Sequence, residues 1–402
     1  MKGIIPIVIG TDPSSYSMTR SINDAYGEKV IVCCSRILSP FSHTKIADIY
    51  MDSYADENYI ARPEVLIDLV NRACKENSAG QEKVIFFIPN EIYMEVIYDN
   101  LEKFAFEPII PYPDKQLGEA LMKKRYFYAR MEEMGVLIPK TRIVSQDNYK
   151  DLDLEGRLIL KADDNNAYKS SRIKEKEKVY FVDSQEDAIK KVDEIFELEY
   201  KNKYQGSWIV QEYIPGGQGT EFTLNGYRSG DDKFSLSQAR CLLTDQRPLQ
   251  IGNYLVLIDS DLEELYALTK KIIRGLDYYG FFNIDMKIHP ETGDVYVFEI
   301  NPRLGRSSYF SNLGGVNHTY AAIEDMARNN SLEQKQTKAF NWIAAGKKEC
   351  EKHIPAELLK EFRRPDRYAN TGLTVDNPND RGALRNIMIK KYIQHLNKSV
   401  FD

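Results

Sequence analysis

Histidine, cysteine and tryptophan are scarce in this chain: five, five and two among 402 residues. Cys33, Cys34, Cys74, Cys241 and Cys350 form no CxxC pair. That argues against structural zinc and a disulfide framework, and fits reduced thiols in a cytoplasmic protein. No two histidines are spaced as HExxH, so a zinc hydrolase is not indicated. No apolar run approaches the roughly 20 residues of a membrane span. The opening MKGIIPIVIGTD turns polar within a few residues and reads as a buried first strand rather than a signal peptide. Gly10 is not followed by the GxGxxG of a dinucleotide site, which leaves a structural role for the N-terminal unit and disfavours an oxidoreductase. Excess positive charge is also missing. With a net charge of −6 the chain has no electrostatic footprint for nucleic acid, and an anionic ligand would be held by local basic groups.

What is present is the composition of a globular protein, 43% hydrophobic and 28% charged, without internal repeats or low-complexity tracts. The length predicts two to four domains. Apolar runs 4–9 and 30–34 flank an amphipathic segment around Met18–Tyr26, in the order of an α/β unit. A helix beginning at Pro63 and a buried strand at Val84–Ile88 extend this domain to about residue 115. A helix is expected from about Leu117 to Met134, ended by Gly135 and Pro139. Short strands follow at Arg142–Val144, Leu158–Lys161 and Val179–Val182, then a helix capped by Ser184 and Asp187. Strand Trp208–Glu212 enters an obvious turn, and a capping box at Ser260–Glu263 opens a helix stopped by Gly280. Beyond about residue 330 the pattern weakens into short helical pieces with prolines, an expected appended tail.

The stretch 280–308, GFFNIDMKIHPETGDVYVFEINPRLGRSS, carries the most chemistry. Alternating apolar runs Phe282–Ile288 and Val295–Ile300 flank the turn formers Pro290, Thr292, Gly293 and Asp294, as in a hairpin. Folded symmetrically about Thr292, the hairpin sets Asp285 opposite Glu299, with Asn301 on the same face. Like charges opposed across paired strands repel, and a hard divalent cation between them reverses the sign of that interaction. Mg²⁺ takes oxygen ligands, commonly one or two carboxylates plus phosphate and water. Arg303 and Arg306 follow at once with fork-shaped donors, so the group points to phosphate chemistry. The competing reading is a solvated hairpin face, partly neutralised by Lys287.

Other residues are less specific singly. Lys161 ends the strand RLILK and, alone, reads as a strand-end surface charge. The polar loop after it, ADDNNAYKSS, contains Lys169 and suits a lid, although it lacks glycines to wrap an anion. In WIVQEYIPGG, an edge strand would offer free backbone groups to an adenine, with Gln211 and Glu212 adding polar side chains. GRSS, residues 305–308, is either a plain loop or, beside a metal, a carboxylate site. Arg20 and Arg240 read as solvated charges.

In order and spacing these pieces resemble the ATP-grasp superfamily: Lys124 before a helix, Lys161, the strand Gln211–Ile214, Asp285 and Glu299, then Asn301 and Arg303 in an E-x-N-x-R pattern. The resemblance covers roughly residues 116 to 320. Within the superfamily, IPIVIG with Tyr16 and Arg20, KKRYFYARMEEMGVLIPKT, KVYFVDSQED, IVQEYIPG, PLQIGNY, GFFNIDMK and FEINPRLGRSS look like bacterial D-aspartate ligases. The resemblance implies an α/β (α+β) architecture. Its parts would be a Rossmann-like pre-ATP-grasp substrate domain (1–115), a small lid subdomain (116–206), a larger C-terminal subdomain (207–330) and the tail 331–402. It implies ATP, with phosphates on Lys124, Lys161 and Lys169 and adenine held by Gln211, Glu212, Tyr213 and Ile214. The usual acidic ribose position is Gln218 here, with Glu221 as a substitute. One or two Mg²⁺ would sit on Asp285, Glu299 and Asn301. Arg303, with Lys161, would meet the transferring phosphate, and Arg306, Ser307, Ser308, Arg20 and Asn253 would hold the acid substrate. The implied reaction is ATP-dependent carboxylate–amine ligation through an acyl phosphate, joining the β-carboxylate of D-aspartate to the lysine amine of a peptidoglycan precursor. Asp163 and Asp164 close to Lys161 depart from what a phosphate site wants. Open alternatives are another amino acid or acceptor, a nucleotide-binding regulator without turnover, or an oxidoreductase. The oligomeric state is left open, a homodimer among the options.

Overall fold

A computed structural model of the chain describes residues 1–402 apart from 53–61, 79, 81, 165–167, 169, 170, 175, 203–205 and 402. Strands β1 (Ile4–Ile9), β2 (Val30–Cys34), β3 (Ala47–Met51), β4 (Lys83–Phe87) and β5 (Pro108–Ile109) form a parallel sheet in the order β3-β2-β1-β4-β5. Central β1 is buried along its whole length, as a parallel strand covered on both faces should be. Asp12 caps helix α1 (Pro13–Tyr26) by accepting from the Ser15 N–H, Pro13 opens it, and Gly27 closes it at φ 68°. Helices α2 (Pro63–Asn77) and α3 (Glu91–Tyr98) complete this layer.

The helix expected over 117–134 is two helices, α4 (Lys115–Met122) and α5 (Lys124–Glu133). The break is at Lys123, whose ψ of 110° is extended. Leu121 on one side, and Phe127, Tyr128 and Met131 on the other, are all drawn into one apolar cluster. Burial of both faces outweighs the cost of interrupting the helix, and the break places Lys124 at the first position of α5.

A four-stranded sheet in the order β6-β9-β7-β8 follows, built from β6 (Thr141–Val144), β7 (Leu158–Ala162), β8 (Tyr180–Val182) and β9 (Trp208–Glu212). The helix Gln185–Asn202 packs on it through Ala188, Val192, Ile195 and Phe196. β9 lies between β6 and β7, so the edge-strand expectation for it is corrected: both rows of its backbone groups are taken by neighbours.

The large sheet contains β10 (Glu221–Arg228), β11 (Phe234–Thr244), β12 (Tyr254–Asp259), β13 (Gly280–Ile288) and β14 (Val295–Asn301). To these it adds β15 (Gln334–Lys335), β16 (Asn341–Ile343) and β17 (Thr371–Leu373). Sequence reading passes over β10 and β11, which bury Thr223, Asn225, Ser237 and Gln238, polar groups that mimic a solvated alternation, and over the apolar β12 as well. Residues 331–402, expected as an appended tail, are woven into the body: β16 pairs with β12, β17 with β16 and β15 with β11. Strands of two or three residues are too short to show a period. The segment also shares the N-terminal domain's core, where Ile343, Cys350, Phe362 and Leu373 join the β1–β4 cluster.

Gly280 starts β13 at φ 92°, with a virtual Cβ only 2.7 Å from the Pro111 carbonyl oxygen, so only glycine passes here. The Phe281 N–H donates to that same carbonyl at 2.9 Å, fixing β13 against the N-terminal domain. Among the described residues all five cysteines are free and buried, and no helix is long and apolar enough to cross a membrane.

Candidate active site

A cleft of about 860 Å³ opens where the three sheets meet. Its floor is the β13–β14 hairpin. Asp285 pairs with Glu299 across the ladder, and Asn283 with Asn301. From Met286 to Ile288 the register is one residue tighter, so Phe298 is an extra residue in β14, a β-bulge. Carried through from the turn, the tighter register would set Asp285 against Phe298 and turn Glu299 to the far face. The bulge therefore makes the pair of acids.

Asp285 is half-buried, accepts a hydrogen bond from Tyr254 Oη at 2.9 Å, and lies beside Thr223 of β10. Burial, with the Glu299 charge second, pushes its carboxyl up to about 7. Burial also works against the Glu299 anion, but Lys124, Lys178 and Lys161 outweigh it and hold the group down, to about 2. Lys124 Nζ stands 3.8 Å from Glu299 Oε2, and the glutamate keeps 40% of its side-chain surface open to the cleft. Asn301 Nδ2 bonds Asn283 Oδ1 at 2.9 Å and reaches Glu299 Oε1 at 3.5 Å. Lys287 does not neutralise this pair. It is opposite Glu221 in the register, 3.9 Å away, and donates to the Gly216 carbonyl at 3.0 Å.

Lys161 on β7 donates to Gln211 Oε1 at 3.1 Å, and burial brings its ammonium down to about 8 against the opposing pull of Glu299. Gln211 in turn donates to Thr141 Oγ1 at 2.7 Å, so its side chain orients the lysine from inside the sheet. Lys178 lines the same cleft and was not singled out from the sequence. Its Nζ donates to the Ile251 carbonyl at 3.0 Å. No local pattern marks a lysine just before a three-residue strand. Arg303 pairs with Glu91 at 2.8 Å, while its buried Nε has no partner. Arg306 donates from Nη2 to the Tyr254 carbonyl at 3.2 Å. Asn253, Ser307, Asp163 and Asp164 also line the cleft.

The comparisons with known proteins agree with this geometry. Residues 252–335 match the family model for the carbamoyl-phosphate synthase L chain, ATP binding domain. The D-aspartate ligase of Enterococcus faecium is 30% identical over 97% of this chain and 94% of its own length. The chain belongs to the ATP-grasp carboxylate–amine ligases. Two solved structures share the fold. The first is biotin carboxylase from Campylobacter jejuni, with a TM-score of 0.62 and 13% identity over 83% of this chain and 74% of that one. The second is phosphoribosylamine–glycine ligase from Thermotoga maritima, with 0.58 and 15% over 83% and 78%. The chain is thus an ATP-using, ADP-forming ligase of carbon–nitrogen bonds.

Seen in the ligase, the expected residues divide. Lys124, Asp285, Glu299, Asn301, Arg303, Arg306, Ser307 and Asn253 converge on one cleft, with Lys161 held close by through its link to Gln211. Glu212 and Tyr213 give their N–H groups to the Lys140 and Arg157 carbonyls, and Ile214 is buried just beyond the strand. Gln218 turns to Thr244 Oγ1 at 3.0 Å and Glu221 to Lys287, so neither points to a ribose contact. Two substrate expectations are corrected. Ser308 shares a 2.9 Å hydrogen bond with Ser17 of α1, and Arg20 is buried, giving Nη1 to the carbonyls of Leu373, Thr374 and Asp376. Ser308 joins α1 to the loop after β14 and Arg20 joins it to the C-terminal segment, because a buried donor must find acceptors within the fold. Lys169 lies outside the described residues.

Proposed function

We propose that this ligase activates the β-carboxylate of D-aspartate with ATP and joins it to the lysine amine of a peptidoglycan precursor. The observation carrying the reading is the convergence of opposed acids, lysines and two arginines on one cleft, in a chain related over nearly its whole length to a D-aspartate ligase. A carboxylate oxygen attacks the γ-phosphorus, the β–γ phosphoanhydride bond breaks, and ADP leaves. The amine nitrogen then attacks the acyl carbon, inorganic phosphate departs, and the nitrogen releases its proton. Such transfer needs positioning and charge neutralisation rather than a protein nucleophile.

Lys124, Lys161 and Lys178 suit the triphosphate, and Arg303, with its unpartnered Nε, suits the transferring phosphoryl group. Arg306 with Asn253 and Ser307 suits the acid. The donor set of Asp285, Glu299 and Asn301 fits Mg²⁺: two opposed carboxylates and an amide on one face of the hairpin offer hard oxygen ligands, and this ion commonly completes its shell with phosphate and water. Burial first and the Glu299 charge second drive Asp285 upward, and a cation would offset both. When bound, Mg²⁺ would neutralise phosphate oxygens.

The three sheets support a division into an N-terminal substrate domain (1–115), a lid (116–206) and a C-terminal body (207–330) that residues 331–402 extend. Phosphate release from ATP, measured with D- or L-aspartate and with or without a lysine-containing stem peptide, tests the reading. Release dependent on D-aspartate and peptide is expected. Release with a different acid shifts the substrate, and nucleotide binding without release favours a regulator.

A further inference from the structure

The loop between β11 and β12, residues 245–253, ties together parts of the cleft that lie far apart in sequence. At its start the fully buried Asp245 receives Arg247 through both oxygens, at 2.9 Å from Nε and 2.5 Å from Nη2. The Asp245 N–H donates to the Asn253 carbonyl at 2.8 Å, so the two loop ends are pinned to each other. The loop runs directly into Tyr254, whose hydroxyl meets Asp285 and whose carbonyl receives Arg306. Its own carbonyls at Pro248 and Ile251 hold the backbone N–H and Nζ of Lys178.

Arg247 has a third bond, and it leads outward. Nη1 donates at 2.9 Å to the carbonyl of Ser399, near the end of the helix Ala383–Phe401. That helix is anchored independently. Arg385 pairs with buried Asp380 at 2.7 Å and donates to the Ser42 carbonyl at 2.9 Å, and Phe401 stacks on His353 at 4.3 Å. Tyr392 on the same helix stands in the electrostatic neighbourhood of Arg306, together with Asp245 and Arg247. Five donors on one planar fork let Arg247 bind a carboxylate and a carbonyl at once, which a lysine cannot do in that geometry.

We infer that Arg247 and the end of the C-terminal helix are positioning elements for the acid substrate. They hold the 245–253 loop so that Asn253, Tyr254 and Arg306 present one fixed face to the substrate carboxylate. Neither Arg247 nor the helix lines the cleft, so they act through these residues. The inference rests on the ligase reading and goes beyond it by giving residues 383–401 a role in substrate recognition.

The test is initial-rate ADP release by the full-length enzyme, varying D-aspartate at saturating ATP and ATP at saturating D-aspartate. Arg247→Lys keeps a charge against Asp245 but cannot make all three bonds. It should raise the KM for D-aspartate roughly tenfold, the loss expected for about one well-placed hydrogen bond. The KM for ATP should rise less, by about threefold, because this loop also holds Lys178 while Lys124 and Lys161 stand on other elements. Deleting residues 398–402 removes the Ser399 carbonyl together with the Phe401 stack on His353 and should give the same split. Combining it with Arg247→Lys should add little, since the loop reaches the helix end through Arg247. An unchanged KM for D-aspartate, an equal rise for both substrates, or additive effects would overturn the inference. Should the shortened chain melt below the assay temperature, Arg247→Lys alone decides. A wild-type enzyme without any D-aspartate-dependent ADP release removes the ligase reading and this inference with it. A responsive wild type with an unaltered Arg247→Lys variant removes the inference alone.

Discussion

Asp285 and Glu299 face each other because Phe298 is inserted as an extra residue in β14, shifting the hairpin register between its turn and its cleft end. Two acids are thereby opposed under three lysines, an arrangement unfavourable for the free protein and favourable for a bound cation and its phosphates. Glu299→Gln should lower turnover about a hundredfold or more, the scale seen when one preorganised charged group is removed. The variant should stay folded but melt a few degrees below wild type, since losing the attraction of Lys124, Lys178 and Lys161 for Glu299 outweighs the repulsion relieved at Asp285. Near-normal turnover would count heavily against the site.

Nucleotide affinity should weaken with rising pH. Burial lowers the Lys161 ammonium to about 8, so the free enzyme loses this charge as pH rises through that value. The dissociation constant for ADP should increase roughly five- to tenfold between about pH 7.5 and 9, the change expected if only the charged form binds. Calorimetric titration of wild type and Lys161→Met at both pH values checks this, and the variant should show a flat response.

His318 sets an acid limit on stability. It is buried, its Nε2 faces Ser237 Oγ at 3.3 Å, its Nδ1 has no partner, and burial lowers it to about 3. The folded value lies below the unfolded one, so the unfolded chain binds the proton first. The contribution is complete at neutral pH and is lost as pH falls below about 6.5. From pH 7 to 5 the loss should be about 2 kcal/mol. Urea unfolding should show that pH-dependent increment in wild type and its absence in His318→Gln.

Asp380 anchors the C-terminal segment to the N-terminal domain. Fully buried, it accepts from Tyr16 Oη and the Lys45 N–H, both at 2.6 Å, and from Thr44 Oγ1 at 2.8 Å, besides pairing with Arg385. Asp380→Ala leaves that guanidinium in the core and should cost about 3–5 kcal/mol by denaturant unfolding. A loss under about 1 kcal/mol would show that the segment is not held here.

The hairpin was legible because alternation and turn residues are local, but the opposition of its acids was not. Regular symmetry about Thr292 names the right pair only because the bulge at Phe298 shifts the register by one. Arg303 and Arg306 follow by adjacency. Lys178 and Tyr254 were not legible: each acquires its place from a contact with residues 73 and 31 positions away, which leaves no mark on its neighbours. Arg20 shows the opposite error. A charge on an amphipathic helix looks solvated or ligand-bound until the fold supplies the carbonyls of residues 373, 374 and 376.

Short-range information in the residue order was thus sufficient for most strands of the first two sheets, for the Ser184 cap, for the hairpin and for membership of the ATP-grasp ligases. The capping box expected at Ser260–Glu263 does not form, since that helix starts at Glu263 without a side-chain cap and ends at Gly275 rather than at Gly280. Tertiary structure decided which strand lies inside a sheet, where the helix before Lys124 breaks, and that residues 331–402 belong to the body. It also decided that the 245–253 loop, with Tyr254 after it, joins Lys178, Asp285 and the C-terminal helix. The division has a physical cause. Side-chain period and turn propensity act between near neighbours, whereas sheet order and the partners of buried polar groups arise only when distant segments compete for the same hydrogen bonds and the same core.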